Sequence, residues 1–302
     1  MPPTALADEN SLITETTHDT SKNGLKQRPT ETPIEAMSHG PVSLPGLPVF
    51  PDLKEKRKWV LEHLAGAFRI FARHGYTEGL SGHISVRDPI NARAFWINPL
   101  GVHFAMLKVS DMLLLDMYTS EVLIAGKSGK PANATGFMIH SAIHRARPDV
   151  HAICHAHSPN ARAWTAFGKP LEMINQDVCN VYRVQALYNS YGGIALNGEE
   201  GERIAESLGE KNKVAFLLNH GLLTVGGTVD EASYLFRLVE RSCEVQLLVE
   251  AAVSKGGLEK RIIDDREASY NFATASEAES LYCEFQPEYE LETMLSGGDF
   301  KR

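Results

Sequence analysis

The stretch "HAICHAHSPNA", residues 151 to 161, places three histidines within seven positions, and His155 and His157 are separated by one residue. On an extended strand, residues two apart point to the same face. Both imidazoles can therefore converge on one point while Ala156 faces away. Zinc takes imidazole nitrogen at about 2.0–2.1 Å, and two histidines meet that demand if the rest of the site comes from elsewhere. On the pair alone two readings stand: metal ligands, or polar groups closing a strand. His220, in "LLNHGLLTVG", follows an apolar run and precedes a glycine, where a side chain is exposed at the mouth of a sheet. A third histidine at a strand end is what a three-ligand catalytic site requires, with positions left open for water or substrate. A divalent metal held by three neutral imidazoles keeps its full charge, which polarises a carbonyl and stabilises an enediolate.

These residues need strands and turns to bring them together, and the chain supplies both. "DLKEKRKWVLEHLAGAFRIFARHG" spaces Trp59, Leu61, Leu64, Ala67, Phe68 and Phe71 as a helix does and stops at Gly75. "GHISVRD", "RAFWINP" and "DMLLLDM" read as short strands. "GKSGKPANATG" is a loop feeding the helix "FMIHSAIHRARP", and "DVHAICHAH" is the next strand. "SPNARAWTAFG" reads as a helix with Ser158 as N-cap, Pro159 at its first position and Gly168 as its end. "GEEGERIAESLG" is a short helix, and "KVAFLLNHGLLTVG" is two strands around a break at Asn219–Gly221. The longest helix starts at Thr228 and stops at Gly256–Gly257. Interleaved strands and helices define an α/β class.

Flanking segments differ in composition. Residues 1–50 are rich in Thr, Ser, Pro and Glu with few large apolar groups, the signature of a disordered N-terminal tail. Its last part, "PVSLPGLPVFP", is a lead-in able to pack on the domain that follows over residues 51–260. Residues 261–302 are polar and acidic with scattered aromatics, and read as an extension packing on the domain or on a neighbouring subunit.

The 302 residues carry 30 Lys and Arg against 38 Asp and Glu, a net charge of -8, which argues against a nucleic-acid or anionic-membrane partner. No run approaches the length of a membrane span. The four cysteines, Cys154, Cys179, Cys243 and Cys283, show no CxxC pair and read as reduced thiols. Early acidic residues (Asp8, Glu9, Glu15) disfavour a transit peptide, and "GGDFKR" matches no sorting signal, so a cytoplasmic location is expected.

"VHAICHAHSPNARAW", followed at a distance by "KVAFLLNHGLLTVGGTVDEAS", resembles the class II aldolase/adducin family, its fungal adducin-like branch in particular. "GLSGHISVRDP", "WINPLGVHF" and "HSAIHRARPDVHA" add to the likeness, which runs from about residue 55 to 255. The resemblance implies a three-layer α/β/α sandwich, assembly as a homotetramer, a small-molecule substrate, and a divalent metal, commonly Zn(2+), on His155, His157 and His220. It also exposes two departures. Sugar-phosphate members carry an acid/base carboxylate four positions before the helix histidine, here His140, and that position is Gly136. They also carry Gly-Asn in the first glycine turn, where this chain has Gly82-His83. The Gly82 turn can still hold an anion through backbone N–H groups. His83 is either a replacement acid/base or a partner of the turn.

Asn219 is placed to orient a ligand or the substrate, and Lys108 either pairs with an anionic group or is solvated. His103 and Glu78 are lesser candidates. His140, His144 and His151 read as structural, and His63 and His74 as surface or terminal residues. The leading expectation is a metal-dependent lyase performing aldol-type cleavage or decarboxylation of a small carbonyl or hydroxy-acid compound. Two alternatives stand beside it. One is a non-catalytic adducin-like module that binds actin and the cytoskeleton. The other is an aldolase-like oxygenase in which three imidazoles hold Fe(2+).

Overall fold

β5 (Ala152–Ala156) runs through the middle of an eight-stranded sheet and decides which residues reach the site. The computed structural model describes residues 32–191 and 198–302. The sheet also contains β1 (His83–Arg87), β2 (Ala94–Ile97), β3 (Leu113–Asp116), β4 (Val122–Ile124), β6 (Gln185–Tyr188), β7 (Val214–Leu217) and β8 (Gly221–Gly226). Their order is β4-β3-β2-β1-β5-β8-β7-β6, antiparallel except for the β6–β7 pair.

Alternation along β5 sorts its side chains between two helical layers. Ala152, Cys154 and Ala156 join the core formed with α2 (Leu53–Arg73) and α6 (Val229–Gly256). Ile153 joins the core formed with α3 (Ala134–Ala146) and α5 (Gly198–Leu208) on the opposite face. The result is the expected three-layer α/β/α sandwich. Cys154 is fully buried, and with the other three cysteines it is a free thiol. No helix among the described residues is long and apolar enough to cross a membrane.

The helices form for local reasons. Asp52 caps α2 by accepting from the N–H groups of Lys54 (2.7 Å) and Glu55 (2.9 Å). Leu64, Phe68 and Phe71 then fall on one fully buried face. Thr228 caps α6 through the N–H of Glu231, and Gly257, at φ 63°, ends it.

α4 (Pro159–Thr165) starts where expected, but Ser158 does not cap it through its own side chain. The buried carboxylate of Glu240, from α6, does so instead. It accepts from the N–H groups of Asn160 (2.8 Å) and Ala161 (2.7 Å) and from the Ser158 hydroxyl. A charged acceptor reaching in from the neighbouring helix outcompetes a local hydroxyl.

The flanks hold more structure than composition alone conveys. Residues 1–31 of the expected tail lie outside the described residues. From Pro33 the chain is placed: α1 (Pro33–Met37) buries Ile34 against Tyr282 and Cys283. The extension forms α7 (Asp265–Ala275) and α8 (Ala278–Ser296), and α8 lies against α2 and α6. His63, expected at the surface, is 4% exposed. It stacks on Tyr289 of α8 with ring centroids 4.0 Å apart and bonds Asp230 at 2.7 Å.

Candidate metal centre

Strand register assembles the site. β1 pairs with β5 so that His83 lies directly opposite His155. β5 ends at Ala156, which leaves His157 at the sheet's mouth. The β7–β8 turn delivers His220, held by a bond from its N–H to Leu217 O (2.9 Å). Asn219 in that turn takes φ 54°, a left-handed conformation that asparagine tolerates better than most residues.

The three histidines expected from the sequence meet. One ring nitrogen from each of His155, His157 and His220 lies within 4.8 Å of the others. The donor set also suits a cation chemically. His155 Nδ1 lies 2.9 Å from Leu222 O, and a carbonyl only accepts, so the proton sits on Nδ1 and Nε2 keeps its lone pair. Burial, reinforced by the neighbouring imidazoles, holds the His155 pKa well below its ordinary value. Burial is also the main cause at His220, lowered to about 4, and at His157, where Arg162 adds to the lowering and Glu78 opposes it. All three rings are thus neutral near pH 7, the state that ligates a metal.

A cavity of about 460 Å³ opens onto these rings. Ser81, Gly82, His83, Asn133, Thr135 and Asn219 line it, so Gly82, His83 and Asn219 of the expected set are brought to the site. Gly82 sits at φ 95°, and a Cβ there would lie 2.9 Å from the Phe104 ring, which explains the glycine.

Lys108 is not brought to the cavity. Its anionic partner is the Asp299 carboxylate at 3.4 Å, near the chain's C-terminus. His103 accepts from the N–H of Ala105 and serves a local turn. Glu78 reaches the margin by pairing with Arg162 at 3.3 Å.

Arg162 and Tyr191 also line the cavity, and reading the sequence did not single them out. A signal for Arg162 was present: it lies in the first turns of a helix that begins two residues after His157.

Gly136, the position where the resemblance implies a carboxylate, has a structural counterpart. Gly136 lies in the first turn of α3, and a Cβ built on it would stand 2.7 Å from Cδ2 of His83. The His83 ring therefore fills the space a side chain at 136 would use. His83 is 3% exposed, and its Nδ1 lies 2.7 Å from Nε2 of His140.

Comparison with known proteins agrees with the fold. The model of the family described as Class II Aldolase and Adducin N-terminal domain matches residues 62–247. The meiotically up-regulated gene 14 protein of Schizosaccharomyces pombe is 43% identical over 85% of this chain and 97% of its own. A Streptomyces roseochromogenus protein named 4-hydroxy-3-prenylphenylpyruvate oxygenase/4-hydroxy-3-prenylbenzoate synthase is 39% identical over 70% of this chain and 74% of its own. The solved structure of L-fuculose 1-phosphate aldolase from Glaciozyma antarctica superimposes with a TM-score of 0.77 at 38% identity, covering 85% of this chain and 97% of that one. The chain belongs to the class II aldolase and adducin family.

Proposed function

We propose that the protein is a divalent-metal-dependent lyase that breaks a carbon–carbon bond in a small carbonyl or hydroxy-acid compound. The observation that carries this reading is the set of three neutral imidazoles facing a cavity of small-molecule size. Held by His155, His157 and His220, a divalent cation such as zinc supplies the Lewis acidity that both aldol-type cleavage and decarboxylation require.

The chain's own residues supply the rest. Arg162 offers a guanidinium to a substrate carboxylate and fixes which end of the molecule faces the histidines. The Gly82 turn offers backbone N–H groups to an oxyanion. His83, where the family's carboxylate is absent, is the group in reach to move a proton. Decarboxylation needs no proton removed in its first step, so it tolerates the loss of that carboxylate better than aldol cleavage does. Assembly as a homotetramer is part of the same reading.

Replacing His155 with alanine is expected to abolish both bound metal and turnover on a panel of 2-keto and hydroxy acids. Full activity in that variant would end the reading. A second reading has a specific motive: the donor cluster is three imidazoles with no carboxylate among the described residues, and one relative is named an oxygenase. Under it the metal is Fe(2+), and oxygen uptake with an aryl-pyruvate, absent when zinc replaces iron, distinguishes the two.

A further inference from the structure

Behind the cavity wall, polar groups continue into the layer between the sheet and α3. His83 Nδ1 faces His140 Nε2 at 2.7 Å. His140 Nδ1 faces Ser85 Oγ at 2.6 Å, and Ser85 Oγ faces His144 Nε2 at 2.9 Å. His144 Nδ1 ends the chain on Val150 O at 3.4 Å. Ser85, His140 and His144 are each at most 1% exposed. Two imidazoles and a hydroxyl this deeply buried, with a third imidazole, His83, at 3% exposure, are costly unless every link is made.

The last link sets the direction of all the others. A backbone carbonyl only accepts, so His144 carries its proton on Nδ1 and leaves Nε2 as an acceptor. Ser85 then donates its hydroxyl proton to His144 and accepts from His140 Nδ1–H. His140 Nε2, left without a proton, accepts from His83 Nδ1–H. All three rings are buried and no carboxylate is a partner of any link, so each ring carries a single proton. Three imidazole protons and one hydroxyl proton fill the four links, and none remains for His83 Nε2. That nitrogen has no hydrogen-bond partner among the described residues, and the ring lines the cavity.

We propose that Ser85, His140 and His144 are positioning residues that lock His83 as the Nδ1–H tautomer, so that its Nε2 lone pair is presented to the cavity as the proton acceptor. When the substrate hydroxyl gives up its proton, the O–H bond breaks and an Nε2–H bond forms. The oxygen's electron pair makes the new carbonyl, and the pair of the broken carbon–carbon bond stays on the leaving fragment. This step rests on the aldol-type form of the lyase reading above; the tautomer does not.

The test is nitrogen NMR on the full-length protein labelled at histidine, with His83→Gln used for assignment. The unmodified chain is expected to show His83 protonated at Nδ1 and bare at Nε2. Ser85→Ala, which cuts the chain between His140 and His144, is expected to give a mixture of both His83 tautomers. It should also lower kcat about tenfold or more with KM changed little, and Ser85→Thr, which keeps the hydroxyl, should restore both. A His83 protonated at Nε2 in the unmodified protein overturns the inference, as does a single unaltered Nδ1–H tautomer in Ser85→Ala. The tautomer measurement uses neither substrate nor metal. A bare Nε2 in a protein that binds no metal would leave the lock standing while the lyase reading falls.

Discussion

Gly136 and His83 compete for one volume, and that competition predicts a change of sign. A glycine in a helix normally gains up to about 1 kcal/mol on replacement by alanine. Here the added Cβ would lie 2.7 Å from the His83 ring. Gly136→Ala is therefore expected to destabilise the protein by about 1–3 kcal/mol through overpacking. In a His83→Ala background the same substitution is expected to stabilise it. Chemical denaturation of the four chains in the cycle measures this directly, and additive effects would show that the two positions do not share the space. That sugar-phosphate members carry a carboxylate where this chain has Gly136 came from the family resemblance. That His83 fills the gap was not legible, because the contact spans a strand and a helix more than fifty residues apart. The His155–His157 pair was legible for the opposite reason, since strand periodicity puts both on one face, and His220 was legible from its place at a strand end. Lys108 does pair with an anion, but a lysine in a loop carries no sign of which one it will meet; Asp299 meets it.

At the scale of elements, the helix after the ligand pair depends on one distant residue. Glu240 satisfies the Ser158 hydroxyl and two N–H groups at the start of α4, the helix that carries Arg162. Glu240→Ala would leave these three donors without the acceptor. A loss of about 3 kcal/mol is expected, readable as a lowered denaturation midpoint. Weakened binding of acidic substrates should accompany it as Arg162 loses its platform. A variant of unchanged stability would refute the capping role. Strong periodicity and good caps made α2 and α6 readable from sequence. β4 and β6 were not: β4 is exposed throughout, and β6 fully buries only alternate residues, so neither shows as a buried apolar run. α8 was hidden by its acidic composition and an internal Pro287, although Leu281, Phe285 and Tyr289 recur every four residues along its buried face. Its partners, His63 among them, become visible only once α2 is in place.

Across the whole molecule, buried neutral histidines tie stability to pH. Burial lowers the His144 pKa to about 3, against about 6.5 in an unfolded chain. Between those values the unfolded chain binds the extra proton. The contribution to stability is therefore fully present above pH 6.5 and is lost as pH falls toward 3. At pH 5 His144 alone should cost about 2 kcal/mol, with His140 acting in the same direction. Denaturant titrations at pH 7 and pH 5 should show that loss, reduced in a His144→Gln variant; a flat profile would mean that these rings are not buried neutral. Co-sedimentation with actin filaments separates an adducin-like binding role from catalysis, and no co-sedimentation is expected.

The claim on which the chemistry depends is that His155, His157 and His220 share one divalent cation. Elemental analysis of gently purified protein, beside the His155→Ala variant, tests it most directly. The expected result is close to one zinc or iron per chain in the unmodified protein and none in the variant. An unmodified protein free of divalent metal, or a variant that keeps the same metal content, would contradict it.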